Sequence, residues 1–188
     1  MTAHMSGRTF GFRNTTRRAL LDFAYCTQTY GAVGLRPFLS YLGASLRESA
    51  GATSVRLPDI AVPLLVRHRT SDAESFSQIF FRRTYDTARF SPYHRKLFDL
   101  YNETVGTKRT PLILDAGANV GFSSAWFANL YKQAQIYAIE PDEENFAVLA
   151  ENAQQFTNIV PLRSAIWDKC STVRIVDDSA PYWARQVA

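Results

Sequence analysis

With 188 residues, 46% of them apolar and 13% aromatic, the chain has material for one ordinary domain plus a long extension, and it falls outside the disordered class. No window approaches the roughly 18 apolar residues of a membrane span, and the two cysteines, Cys26 and Cys170, match no metal or redox spacing, so a reducing, cytoplasmic compartment is expected. Charge is uneven: residues 1–110 hold sixteen Lys/Arg against eight Asp/Glu, and residues 111–188 five against nine, which gives +8 and −4 within the overall +4; the basic residues are scattered, so a solvated surface is favoured over a nucleic-acid partner.

In chain order, "TTRRALLDF" carries the arginine pair of a twin-arginine export signal, but its supposed apolar core contains Asp22, Gln28 and Arg36. An N-terminal helix, associated with the surface, is expected instead. Apolar residues from Arg17 to about Leu46 recur near helical spacing and are broken at "YGAVG", which predicts two short helices. Residues 55–67, rich in Val, Leu and Ile with Pro58 and Pro63, predict a β-hairpin at a sheet edge. "SDAESFSQIF" predicts a helix begun by a capping box of Ser71 and Glu74, with Phe76, Ile79 and Phe80 on one face. A further helix is expected over residues 91–106, ending at Gly106. The organisation expected is an N-terminal mostly helical extension over 1–54, a hairpin with helices over 55–110, and an α/β unit over 111–188.

From residue 111 the pattern alternates strand and helix, the signature of a parallel sheet with crossover helices. Strands are expected at 112–115, 136–140 and 159–164. Between them one helix would bury Phe122, Trp126 and Leu130, and a second, capped by Asp142, would bury Phe146, Leu149, Ala150 and Ala153. In such sheets a ligand sits beyond the carboxyl ends of the strands, where the first turn approaches it with bare backbone. Gly117 and Gly121 suit that turn, and Asn119 between them tolerates a left-handed conformation. Asp115 at the strand end suits the loop amides or a cationic ligand, and Glu140 ends the next strand, where an acid hydrogen-bonds ribose hydroxyls. The loop lacks the G-x-G-x-x-G of a dinucleotide site, and an acid at its head would repel a pyrophosphate. S-adenosylmethionine, with its ammonium, sulfonium and ribose, fits better than a nicotinamide dinucleotide.

The segments "ILDAGANVGFSS", "YAIEPDEENFAVLAENA" and "IVPLRSAIWD" resemble the first three strand motifs of the FkbM family of S-adenosylmethionine-dependent methyltransferases, in order and near family spacing. "VRHRTSDAESFSQIFFRRTYD" resembles the segment that precedes the fold in many members, and the resemblance spans roughly residues 62–176. It implies a Rossmann-like class I methyltransferase fold, S-adenosyl-L-methionine as cofactor, and O-methylation of a hydroxylated small-molecule acceptor such as a saccharide. It also implies that Asp115, Gly117, Asn119 and Gly121, with Ala118 adjoining, line the methionine part; that Glu140, beside Pro141, holds the ribose; and that Ala165 and Ile166 lie near the adenine. Trp167 is the tryptophan placed to touch adenine; Trp126, Trp183, His4, His68 and His94 are expected to pack or lie exposed, and a substrate role for Arg67 or Asp72 is disfavoured. No general base is assignable.

The family pattern continues into a Lys-Ile-Asp-x-Glu-Gly type strand that has no counterpart before "PYWARQVA". The fold is therefore expected to be incomplete after the third parallel strand, with residues 112–115 as an uncovered apolar edge prone to self-association. A catalytically inactive S-adenosylmethionine-binding protein is the competing expectation. Expressed alone, residues 1–188 are expected to turn over far more slowly than a version extended through the further strands, since positioning contributes about 7 to 11 kcal/mol in well-oriented systems. Equal turnover by a soluble short form would overturn this.

Overall fold

The computed structural model describes the backbone of residues 7–169 and the side chains of residues 16–169. Helix α1 (Gly7–Tyr30) runs into a 3-10 turn, Gly31–Gly34, and then α2 (Leu35–Leu46). The break at "YGAVG" lies where expected, although α1 begins ten residues earlier than the periodicity suggested. The inner side of α1 carries a buried acid. Asp22 accepts hydrogen bonds from Tyr41, Ser77 and Arg82, so the carboxylate pins α1 to α2 and to the segment 77–82. Cys26 is buried and free, and burial, then the Asp22 charge, push its thiol up to about 11, which leaves it an inert packing group; Cys170 lies outside the described residues.

The hairpin differs from expectation. Strands β1 (Ala52–Val55) and β2 (Leu64–Arg67) pair antiparallel as a sheet of their own, with Val55 opposite Leu64, and do not edge the parallel sheet. Pro58 and Pro63 fall in the connection, where a residue without an N–H interrupts no ladder. The capping box also does not form. Ser71 has helical φ and ψ of −75° and −1°, whereas an N-cap side chain bonds back from an extended backbone, and its hydroxyl is buried without a partner. Thr70 Oγ1 receives the Asp72 amide instead, and Glu74 pairs with Arg18. Helix α3 (Asp72–Phe76) continues into a single π turn, Ser77–Phe81, closed by Arg82 N–H donating to Ser77 O at 2.9 Å. The turn buries Ile79, Phe80 and Phe81 together, and Phe76 meets Phe122 edge-on at 5.3 Å. A short 3-10 turn, Thr87–Arg89, leads to α4 (Ser91–Gly106), which carries Pro92 in its first turn, ends at Gly106 as expected and buries no residue fully.

The remainder is a β-α-β-α-β unit: β3 (Leu112–Ala116), α5 (Phe122–Leu130), β4 (Gln135–Ile139), α6 (Glu143–Ala153) and β5 (Ile159–Leu162). The three strands are parallel in the order β3-β4-β5, with Ile113 beside Ile136 and Ile136 beside Ile159. This is a mixed α/β protein with a three-stranded parallel sheet, compatible with a Rossmann-like fold. Asp142 caps α6 by accepting the Asn145 amide at 2.9 Å, with Glu143 and Glu144 in the first turn. Ile136, Ala138 and Ile159 face a core shared with Leu149 and Ala153, while the alternate residues Leu112 and Leu114 are 60% and 59% exposed. Leu130, expected inside, is exposed, because α5 ends there and Tyr131 takes the buried place; Phe146 and Ala150 are only half-buried.

Two side chains of α6 fasten the N-terminal layer to this unit. Asn152 accepts the Leu65 amide at 2.7 Å and donates to Leu65 O and Val120 O at 3.4 and 2.8 Å, pairing with β2 as another strand would. Asn145 Oδ1 accepts from Arg67 Nη2 at 2.7 Å, and Arg67 forks onto the fully buried Asp72 at 2.9 Å through both Nε and Nη2. Arg67 and Asp72 are thus a structural ion pair. Replacing Asn152 with Leu, of similar size, leaves the Leu65 amide and Val120 carbonyl unpaired and should cost about 2 to 5 kcal/mol. Urea denaturation measures this, and faster hydrogen exchange at the Leu65 amide locates it.

Candidate functional site

The expected site lies at the carboxyl ends of β3 and β4. The loop after β3 turns through three left-handed residues, Gly117, Asn119 and Gly121, with φ of 73°, 51° and 86°. Its amides are consumed in order. Gly117 and Ala118 N–H both donate to Ile139 O at 2.9 and 3.0 Å, and Asn119 N–H donates to Glu140 Oε2 at 2.8 Å. Ala118 is buried under the turn, whereas the Asn119 Oδ1 atom is buried with no hydrogen-bond partner. An orphaned acceptor of this kind is unusual enough to mark the loop.

The two glycines differ in what they spare. A Cβ on Gly117 would meet no atom within 4 Å, so the space above that residue is open. On Gly121 it would lie 2.7 Å from Leu149 Cδ1, so the packing of α6 against the turn is itself a reason for glycine there, beside the left-handed φ of 86°. Asp115, for which the loop amides or a cationic ligand are expected, makes no bond to a loop amide. It accepts the hydroxyls of Ser123 and Ser124, in the first turn of α5, on the single oxygen Oδ2. Its other oxygen makes no hydrogen bond among the described residues.

Glu140 follows directly on β4 and is buried. Oε2 takes the Asn119 amide and Oε1 the Asp142 amide at 3.0 Å, so the side chain joins the β3 loop to the start of α6. Burial raises its pKa above the ordinary 4.5, the two amides oppose that, and the Asp142 charge adds to it. A hydrogen bond from the Asn145 side chain also lowers it, so of the about four lone-pair sites of an ionised carboxylate about one remains. Pro141, half-buried, separates Glu140 from the capping Asp142. Ala165 and Ile166 lie just beyond β5, which Glu140 N–H reaches by donating to Leu162 O at 3.0 Å; Ala165 is half-buried and Ile166 is 57% exposed. Trp167 is exposed beside them, and Trp183 and His4 lie outside the described residues.

One residue near this site was not foreseen. Burial, then the charge of Asp115, raise the pKa of the Tyr85 phenol, and its ring packs on Phe127 at 5.4 Å. No periodicity or motif in "RTYD" signals that approach to the strand end. His68 is buried between Thr53 and Ser49 O, and His94 contacts Thr87, so both histidines serve packing. Among the described residues no group of three or more His, Cys, Asp or Glu is suited to a metal ion. No helix among them is long and apolar enough to cross a membrane.

Comparison with protein-family models gives no match, and comparison with curated proteins gives none either. The geometry distinguishes the glycines experimentally. Gly117→Ala meets only the left-handed backbone term of about 1 to 2 kcal/mol, whereas Gly121→Ala adds overpacking of about 1 to 3 kcal/mol against Leu149. Urea denaturation should rank Gly121→Ala below Gly117→Ala, and a Leu149→Ala background should abolish most of that difference.

Proposed function

We propose that the chain is an S-adenosylmethionine-dependent methyltransferase resembling the FkbM family, acting on a hydroxyl of a sugar or another hydroxylated metabolite. The observation that carries this reading is the bond from the Asn119 amide to Glu140, which makes a left-handed glycine loop and a strand-end acid one unit. The residues fit the cofactor. Glu140 retains an acceptor site for a ribose hydroxyl, the space above Gly117 is open, and the Asn119 Oδ1 acceptor and the free Asp115 oxygen suit an ammonium. When bound, S-adenosylmethionine would supply an electrophilic methyl group. Asp115, held by Ser123 and Ser124, would orient its cationic end, and Glu140 its ribose. Ala165 and Ile166 would border the adenine.

A second reading is a cofactor-binding protein without turnover. It is favoured by the uncovered face of β3, where Leu112 and Leu114 are 60% and 59% exposed. A nicotinamide-dependent oxidoreductase is less consistent with an acid heading the loop.

Calorimetry with S-adenosylhomocysteine and with NAD tests the binding reading: binding of the first and not the second is expected, and the reverse would overturn it. Methyl transfer to a panel of hydroxylated acceptors separates the first reading from the second. Glu140→Ala should weaken S-adenosylhomocysteine binding by about 1.5 to 3 kcal/mol, the contribution of a charge-assisted hydrogen bond. Hydroxyls donate best to the ionised acid. Wild-type affinity should therefore rise as pH increases through the raised pKa of Glu140, and Glu140→Gln should flatten that rise.

A further inference from the structure

A second site is suggested away from the sheet, where α1, α2 and the turn from β2 to α3 enclose a cavity of about 310 Å³. Its apolar wall includes Leu42 and Leu46, and its polar wall includes Arg18, Arg69, Ser71 and Glu74. Most of the charges around it are matched. Arg18 lies 3.7 Å from Asp22 and 3.1 Å from Glu74, Arg82 is 2.9 Å from Asp22, and Arg67 is 2.9 Å from Asp72. Arg69 is the exception. It makes no hydrogen bond or ion pair among the described residues, so four arginines face three acids and one positive charge is left over.

Two local costs coincide at this turn. Arg69 sits at φ 60°, a left-handed conformation that disfavours a side chain by about 1 to 2 kcal/mol. Ser71, two residues on, keeps its hydroxyl buried with no partner, which costs about 1 to 3 kcal/mol. Neither is explained by packing or capping, and strain of this kind gathers at ligand clamps. We propose that this cavity binds a small organic anion, with a carboxylate or phosphate received by Arg69 and Ser71 and a short apolar body against Leu42 and Leu46. The anion would neutralise the unmatched guanidinium and give the hydroxyl an acceptor, and both bonds would be charge-assisted. Asp22 and Glu74 do not oppose it, because Arg82 and Arg18 already balance them.

The test uses the isotope-labelled full chain at low ionic strength, titrated separately with inorganic phosphate and with hexanoate, following the amide resonances of the Arg69–Ser71 turn and the melting temperature. Saturable shifts at that turn with at least one anion are expected. Which anion saturates identifies the head group, and saturation by hexanoate supports the apolar body. Arg69→Asn, which tolerates the left-handed backbone, and Ser71→Ala, which removes the orphan hydroxyl, should each melt no lower than wild type when unliganded yet bind about tenfold or more weakly. A purely structural role for either residue would move the melting temperature and leave the anion affinity alone. Arg95→Gln, an exposed arginine on α4, should bind as wild type. Absence of saturation with both anions, or equal affinity in Arg69→Asn and Ser71→Ala, would overturn the proposal. S-adenosylhomocysteine binding by the same variants should be unchanged, so the two sites fail or stand separately.

Discussion

The amide of Asn152 is the contact on which the two layers depend. Its three hydrogen bonds reach the backbone of β2 on one side and the carbonyl of Val120 on the other. Val120 immediately precedes Gly121, so one buried side chain sets the distance between the hairpin, α6 and the exit of the glycine loop. Apolar contact alone would hold these elements together without fixing their register, since the hydrophobic effect is non-directional. The Arg67–Asp72–Asn145 cluster adds a second directional link seven residues earlier on α6, close to Asp142 and Glu140. The end of β4 and the end of the β3 loop are therefore located by polar atoms of one helix. Such networks are stabilising only when every member is satisfied, which is the case for Asn152 here.

Much of the parallel unit was legible because its signals are local. The alternation from Leu112, the Asp142 cap and the left-handed requirement at residues 117, 119 and 121 all depend on nearby sequence. The strand ends differ by one or two residues, which is ordinary for such boundaries. What could not be read were long-range polar partners. "SDAE" reads as a capping box, but Glu74 is taken by Arg18, 56 residues away, and Asp72 by Arg67, which leaves Ser71 with a helical backbone and nothing to bond. The packing of Leu149 of α6 against Gly121, 28 residues away, is likewise invisible in the local pattern of the loop. Asn145 and Asn152 carried a faint signal, two amides seven apart on the face of α6 that also carries Leu149, but their partners on β2 lie about eighty residues away.

The parallel sheet is covered unequally. Ile136, Ala138 and Ile159 point into a core built from α5 and α6, while Leu112 and Leu114 on the opposite face are exposed, and among the described residues β3 pairs on one side only. Beside that edge, α4 and β3 frame an apolar cavity of about 370 Å³ that includes Leu97, Leu100 and Tyr131. An edge strand offers unpaired N–H and C=O groups, and apolar side chains beside it make the edge adhesive. Lys108 and Arg109 just precede the strand, and Asp115 near its carboxyl end is the charged residue within it.

Glu140 shows how stability and binding are set against each other at the candidate site. Its folded pKa is raised because burial outweighs the hydrogen bonds it accepts from the Asp142 and Asn119 amides and the Asn145 side chain. A raised carboxyl pKa means that the folded state binds its proton more readily than the unfolded chain does. Stability from this group is thus fully present below the unfolded value, near 4.5, and is lost as pH rises through the raised value. Above that window the protein holds a buried charge whose solvation is incomplete, with about one lone-pair site unspent. A ligand hydroxyl would supply the missing donor, and its binding would return part of the desolvation cost that the apo fold carries. On the proposed reading, the acid is kept buried because an acid fully solvated by water would gain little from a ribose, whereas one tied to the Asn119 and Asp142 amides is already oriented to receive it.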